Sequence, residues 1–118
     1  MSKQIYWILE VAILPGQLEN FRAVARDLIT ATEPEPGTLG YEYALNDDGT
    51  VCHIYERYQN SDAVVTHAQS FGNFADRFLQ ACRPTRFHVY GTLNEEAKAA
   101  LTDFDPVYFS TLLGGFNR

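Results

Sequence analysis

The segment from Lys3 to Leu14 is apolar on both of its alternating faces, and this constrains the fold more than any other feature. Read as a strand, it places Ile5, Trp7, Leu9, Val11 and Ile13 on one face. Tyr6, Ile8, Ala12 and Leu14 take the other, with Glu10 the single charge among them. Side chains alternate across a strand, so apolar residues on both faces call for cover on both faces. Pro15-Gly16 ends the run. Leu18, Phe21, Val24, Ala25, Leu28 and Ile29 then recur at helical spacing, with Glu19, Arg22, Arg26 and Asp27 between them. Pro34, Pro36 and Gly37 stop that helix near Glu33.

Thr38 to Leu45 alternates again, with Leu39, Tyr41, Tyr43 and Leu45 on one face, and Asn46-Asp47-Asp48-Gly49 signals a hairpin turn. The partner strand, Val51 to Gln59, sets Cys52, Ile54, Glu56 and Tyr58 against Val51, His53, Tyr55 and Arg57. Ser61-Asp62 is a helix N-cap signal. The helix it opens carries Val64, Ala68, Phe71, Phe74, Ala75, Phe78, Leu79 and Cys82 inward, with a break at Gly72. Pro84 opens a fourth strand that runs to Leu93, and Asn94 caps a short helix, Glu95 to Leu101, before an aromatic tail. The order β-α-β-β-α-β predicts an α+β, ferredoxin-like fold, an antiparallel sheet with helices on one face. The sequence reads as one domain over 1–118, with a core of about 3–93 and an extension from 94 to 118. Helices on one side leave the other face of the first strand uncovered, and a second copy of the same sheet would cover it. A homodimer is therefore expected.

The formal net charge is −6, and the nine Lys and Arg residues are scattered rather than clustered. Phosphate backbones and anionic membrane surfaces need clustered positive charge, so no nucleic-acid or membrane partner is expected. No run approaches the roughly 20 apolar residues of a membrane span. The apolar run near the start is interrupted by Glu10 and leads into Pro15-Gly16, unlike a secretion signal. Cys52 and Cys82 show no metal or redox spacing and read as buried free thiols. A cytoplasmic protein is the expectation.

Most motifs that announce a chemistry are absent: no phosphate loop, no GxGxxG, no HExxH, no GxSxG. Cys52 and His53 are adjacent on a strand and so point to opposite faces, which prevents them from acting together. His53, His67, His88 and Glu56 show no metal-ligand spacing, and no metal is expected. His67 shares a helix face with Val64, Ala68 and Phe71 and should point at the sheet. Two readings of it stand open on the residues alone: a core histidine bonded to a neighbour, or a general base in an apolar pocket. Glu56 lies on the strand face of Ile54 and Tyr58, where a carboxylate needs a partner. Arg86, His88 and Tyr90 form a polar row on the fourth strand. Sixteen aromatic residues, 14% of the chain, suit either a pocket for a flat ligand or a well-filled core.

Three stretches carry a family resemblance. They are Glu35-Pro36-Gly37-Thr38-Leu39-Gly40-Tyr41-Glu42, Ile54-Tyr55-Glu56-Arg57-Tyr58, and Ser61-Asp62-Ala63 through His67. Together they resemble the antibiotic biosynthesis monooxygenase family over roughly residues 5 to 93. The resemblance implies a dimeric α+β barrel with a cavity between sheet and helices in each subunit. It also implies oxidation of a small electron-rich aromatic or quinol by O2 with no metal or flavin cofactor. By the same resemblance His67 is the candidate base and Glu56 its orienter. Tyr41, Tyr55, Tyr58, Arg86 or His88 would bond substrate oxygens, with Trp7, Phe71 and Phe74 among the apolar walls. The alternative is a non-catalytic dimer that binds a hydrophobic small molecule or fills the cavity with its own side chains. A pocket on which His67 and a second polar group converge favours catalysis. One packed shut by Phe71, Phe74 and the tail favours the alternative.

Overall fold

A computed structural model describes residues 3–118. Its elements are β1 (Ile5–Ile13), α1 (Leu18–Thr32), β2 (Thr38–Leu45), β3 (Val51–Tyr58), α2 (Ser61–Phe71), α3 (Ala75–Ala81), β4 (Cys82–Tyr90), α4 (Glu95–Leu101), a 3-10 turn (Thr102–Phe104) and β5 (Val107–Phe109). The strands form one sheet in the order β2-β3-β1-β4-β5. The doubly apolar strand is thus the central one, antiparallel to β3 on one side and to β4 on the other. Its two faces meet different surroundings. Ile5, Trp7, Leu9 and Val11 are buried, whereas Tyr6 and Ile8 are 37% and 44% exposed. Phe21, Val24 and Leu28 of α1, Val64 of α2 and Phe78 of α3 join the buried face in one core. The ferredoxin-like α+β architecture expected from the sequence is the one observed.

Several local features fix the ends and phases of these elements. In the hairpin turn the Asn46 side chain accepts from the backbone N–H groups of Thr50 and Val51, and Gly49 takes a positive φ of 73°. The second helical stretch does break at Gly72: Gly72, Asn73 and Phe74 bond back to Ala68, Ser70 and Phe71, separating α2 from α3. The cap of α2 is Asn60, whose side chain accepts from Ala63 N at 3.0 Å, one residue before the expected Ser61-Asp62. Asn94 caps α4 as expected, accepting from Ala97 N at 2.9 Å.

Three further departures have physical causes. Leu39 is 39% exposed, because the β2–β3 register shifts between Thr38 and Gly40 and breaks the alternation there. Strand β4 begins at Cys82, two residues before Pro84, which sits where the β1–β4 register shifts and a missing donor is tolerated. The tail adds a fifth strand, β5, parallel to β4, so the sheet is not wholly antiparallel. Three residues are too few to show a period, which is why the sequence does not reveal that strand.

Candidate active site

Alternation along β3 sends Ile54, Glu56 and Tyr58 inward, all buried. A carboxylate so placed needs partners. The Tyr58 hydroxyl donates to Glu56 Oε1 at 2.5 Å. From the helix side, the Asn60 cap fixes the phase of α2 so that Ala63, Val64 and His67 face the sheet. His67 Nε2 then lies 3.6 Å from Glu56 Oε1. Its other nitrogen, Nδ1, lies 3.1 Å from Glu35 Oε1. Glu35 stands in the turn between α1 and β2, and its Oε1 also accepts from the Thr38 hydroxyl at 2.8 Å. Gly37 allows that turn to press against α2. A Cβ there would sit 2.6 Å from the Ala63 Cβ, so any side chain would push the Glu35 turn away from His67.

The charges in this cluster control one another. Burial disfavours the imidazolium of His67, but the Glu35 hydrogen bond and the nearby charges of Glu56 and Glu35 outweigh it and raise the histidine above 6.5. Burial also opposes ionisation of Glu35, yet its bonds to His67 and Thr38 hold its pKa below 4.5. Glu56 goes the other way: burial raises it, and the opposing pull of His67 and Tyr58 does not cancel that. Two carboxylates on one histidine are therefore driven apart, Glu35 toward the anion and Glu56 toward the acid. Anionic Glu35 favours a proton on Nδ1, which leaves Nε2 as the nitrogen that gains and loses a proton.

An apolar cavity of about 70 Å3 opens beside this cluster. Trp7, Glu56, His67, Tyr41 and Tyr43 bring polar atoms to its wall, and Leu9, Ile54, Phe71, Phe87 and Phe104 are among its apolar residues. The Tyr41 and Tyr43 hydroxyls bond each other at 2.7 Å, and burial raises both phenols. Tyr41 sets its ring edge-on to His67, 5.1 Å between centroids. The Trp7 indole N–H is buried beside Glu56, where it favours the carboxylate form.

Of the residues expected at a site, Trp7, Tyr41, Glu56, His67 and Phe71 meet at this cavity. Tyr58 is not among the residues lining the cavity, but its hydroxyl bonds Glu56 and its ring packs against His67, 5.5 Å between centroids. Phe74 packs at the α2–α3 break, against the core and off the cavity wall. Tyr55, Arg86 and His88 do not join the cavity. Each is one residue out of phase with an inward neighbour, Ile54 or Glu56 for Tyr55 and Phe87 for the other two, so each points to the opposite face of the sheet. Glu35 and Tyr43 are the participants that residue-level reasoning missed, and Phe104 comes from the aromatic tail that it left free to close on the pocket. Tyr43 shares the face of Tyr41 in β2 and was open to that inference. Glu35 and Phe104 lie in turns, where no period tells which way a side chain points.

The chain is a small α+β protein with a one-sided ferredoxin-like sheet, whose inner face holds a histidine between two carboxylates next to an apolar cavity. The antibiotic biosynthesis monooxygenase family matches residues 5–83, more than half of the chain, and the chain belongs to that family. Among curated proteins, none matches the sequence. Among solved structures, MupZ from Pseudomonas fluorescens is similar over 99% of this chain and 96% of its own, with 25% identity and a TM-score of 0.84. Rv0793 from Mycobacterium tuberculosis is 22% identical, covering 78% of this chain and 97% of its own, with a TM-score of 0.65. SnoaB, a cofactor-independent oxygenase from Streptomyces nogalater solved as its N63A mutant, is 11% identical, covering 71% of this chain and 88% of its own, with a TM-score of 0.64. The last two likenesses concern the fold alone. Among the described residues, no helix is long and apolar enough to cross a membrane.

Proposed function

We propose that this protein is a cofactor-independent monooxygenase that oxidises a small electron-rich aromatic or quinol with O2. The observation that carries the reading is the convergence of His67 and Glu56 on an apolar cavity, with Glu35 fixing the far nitrogen of the imidazole. His67 Nε2 takes a proton from an acidic C–H or phenol, and the Glu35 carboxylate on Nδ1 stabilises the imidazolium that results. The substrate anion gives an electron to O2, and the radical pair collapses to a carbon–oxygen bond. The peroxide so formed takes the proton back from His67 and loses water. A CH2 group thereby becomes C=O, with one oxygen atom in the product and one in water. An apolar, water-poor wall favours this sequence by keeping protons from the intermediates. The proposal includes a homodimer joined through the open sheet face, where Tyr6 and Ile8 are exposed; members of this family are typically dimers. Two unpaired, buried cysteines fit a reducing compartment such as the cytoplasm.

The test is oxygen uptake by metal-stripped protein with hydroquinones, naphthols and anthrones, run beside His67→Ala. One O2 consumed per substrate by the wild type, and none above autoxidation in the variant, is the expected result. Uptake equal in both would remove His67 from the mechanism.

A second reading rests on the opposed carboxylates. A protonated Glu56 beside a basic His67 is also a general acid and a general base within one cavity, which can rearrange or hydrolyse a substrate without O2. Turnover that persists under argon would favour it over the oxygenase.

A further inference from the structure

The cavity beside His67 holds about 70 Å3, roughly half of the ~150 Å3 that a single benzene ring occupies in a dry protein cavity. It has room for O2 or a water, and an aromatic ring needs more space than it offers. Adjoining it is a second, larger hollow of about 420 Å3, bounded by Gly72, Ala75, Leu79 and Pro84 together with Asp103 and Asp105. The two spaces share four residues, Ala68, Phe71, Ala100 and Phe104, which therefore form the partition between them. Phe71 and Phe104 meet in it edge to face, 5.7 Å between centroids, and both are only half-buried. Ala68 and Ala100 carry nothing beyond Cβ, so the two rings are the parts of this wall that can swing.

We propose that the two spaces are one substrate site, with the reacting ring beside His67 and an elongated, apolar, uncharged body in the outer hollow, divided by a Phe104 ring that yields as the ring enters. The inference rests on the reading of His67 as the reacting centre. The outer hollow suits such a body: its walls are apolar, and the only charges on its rim are Asp103 and Asp105, with no cation to receive an acid. A carboxylate on the body would meet both aspartates. Half of the partition has a separate origin from the acid–base set. Glu35, Glu56 and His67 lie within the family's matched segment, 5–83, whereas Ala100 and Phe104 come from α4 and the turn beyond it. The extension can thus set which substrates enter without altering the proton-transfer residues. Phe104 is a specificity residue on this account, not a catalytic one.

The sole tryptophan, Trp7, lines the inner cavity, so its fluorescence reports occupancy there without any turnover. Phenol, 4-butylphenol, 4-hexylphenol and 4-octylphenol should bind the wild type with affinity rising toward about fourfold per methylene, the value for full burial. Ala75→Phe, which fills the outer hollow, and Leu79→Glu, which charges it at a half-exposed position, should each flatten that rise and leave phenol binding unchanged. Phe104→Ala should bind phenol more tightly than the wild type, since no ring has to move. An octylphenol analogue ending in a carboxylate should bind more weakly than octylphenol itself. Affinity independent of chain length in the wild type would overturn the proposal, and so would a chain-length rise that survives both variants. Chain-length-dependent binding without oxygen uptake would defeat the oxygenase reading and leave the two-space site standing, so the two failures are distinct.

Discussion

Two histidine–carboxylate pairs sit in this small domain with almost the same geometry. His53 Nε2 lies 2.9 Å from Glu10 Oε2, and His67 Nδ1 lies 3.1 Å from Glu35 Oε1. Both join residues distant in sequence. They differ in water. The His53 and Glu10 side chains are 50% and 28% exposed, on the open face of the sheet, while those of His67 and Glu35 are 7% and 10% exposed. Glu10 is held below its ordinary value mainly by the Thr85 hydroxyl and next by His53, and solvent screens what remains of the attraction. In the inner pair, water is replaced by a second carboxylate, Glu56, and by the rings of Tyr41, Tyr58 and Phe71. Partner identity and distance do not by themselves make a proton-transfer site. Desolvation and a third ionisable group are what set the inner pair apart.

The comparison can be broken most forcefully at His67. Its replacement by alanine removes the proposed base and strands two carboxyls in a dry site. Turnover should fall by about 10²–10⁴-fold, and stability by roughly 3–5 kcal/mol near neutral pH. A urea midpoint that recovers as the pH is lowered would mark the stranded carboxyls as the cause, because protonation relieves them. Full stability at pH 7 would show that the cluster is more hydrated than its burial implies.

Glu35→Gln comes next. It keeps a hydrogen-bonding side chain beside Nδ1 but removes the carboxylate whose hydrogen bond does most to raise His67, together with the smaller effect of its charge. Turnover that requires neutral Nε2 should rise with pH through a value above 6.5 in the wild type, and that limb should move to lower pH in the variant. A pH–rate profile of kcat/KM checks it, and an unmoved limb would take Glu35 out of the mechanism. Stability should respond as well. The raised His67 contributes fully below about 6.5 and loses its contribution as the pH climbs through its folded value. The lowered Glu35 contributes above about 4.5 and loses it as the pH falls through its folded value. Pairing therefore supports the fold most between those limits, and Glu35→Gln should flatten the fall of the urea midpoint with pH on either side of that interval. Glu56, raised by burial, has the opposite sign to Glu35: it favours the fold at low pH and ceases to do so as it ionises.

Gly37→Ala should act on the same pair from the backbone side. The 2.6 Å approach to Ala63 leaves no room for a methyl group, so the turn carrying Glu35 must shift away from α2. A loss of about 1–3 kcal/mol, as for other overpacked sites, should accompany a pH–rate limb displaced in the same direction as in Glu35→Gln. The smallest effect belongs to the outer pair. His53→Ala should change stability by less than about 1 kcal/mol, vanish in high salt and leave turnover untouched.

Much of the molecule was legible because alternation and helical spacing encode which face a side chain takes. The double alternation from Ile5 to Ile13 marked a strand that stands at the centre of the sheet, with one face buried and Tyr6 and Ile8 exposed on the other. The spacing of Val64, His67, Ala68 and Phe71 turned His67 inward, and the beat of Ile54 and Tyr58 did the same for Glu56. The same rule, applied to Tyr55, Arg86 and His88, separates them from the cavity, whereas the family resemblance had grouped them with it. Periodicity fixes faces within one element. It carries no information about which residues of different elements meet, or about turns, where backbone direction changes at each residue. The sequence by itself therefore determined the order of elements, the break at Gly72 and the two inward-facing groups of the site. Only the tertiary structure decided that Glu35 closes on His67 across thirty-two positions, that β5 runs parallel to β4, and that Phe104 divides the cavity from the larger hollow outside. Each of these depends on a turn being carried to its partner by the packing of whole helices and strands, and no local pattern records that.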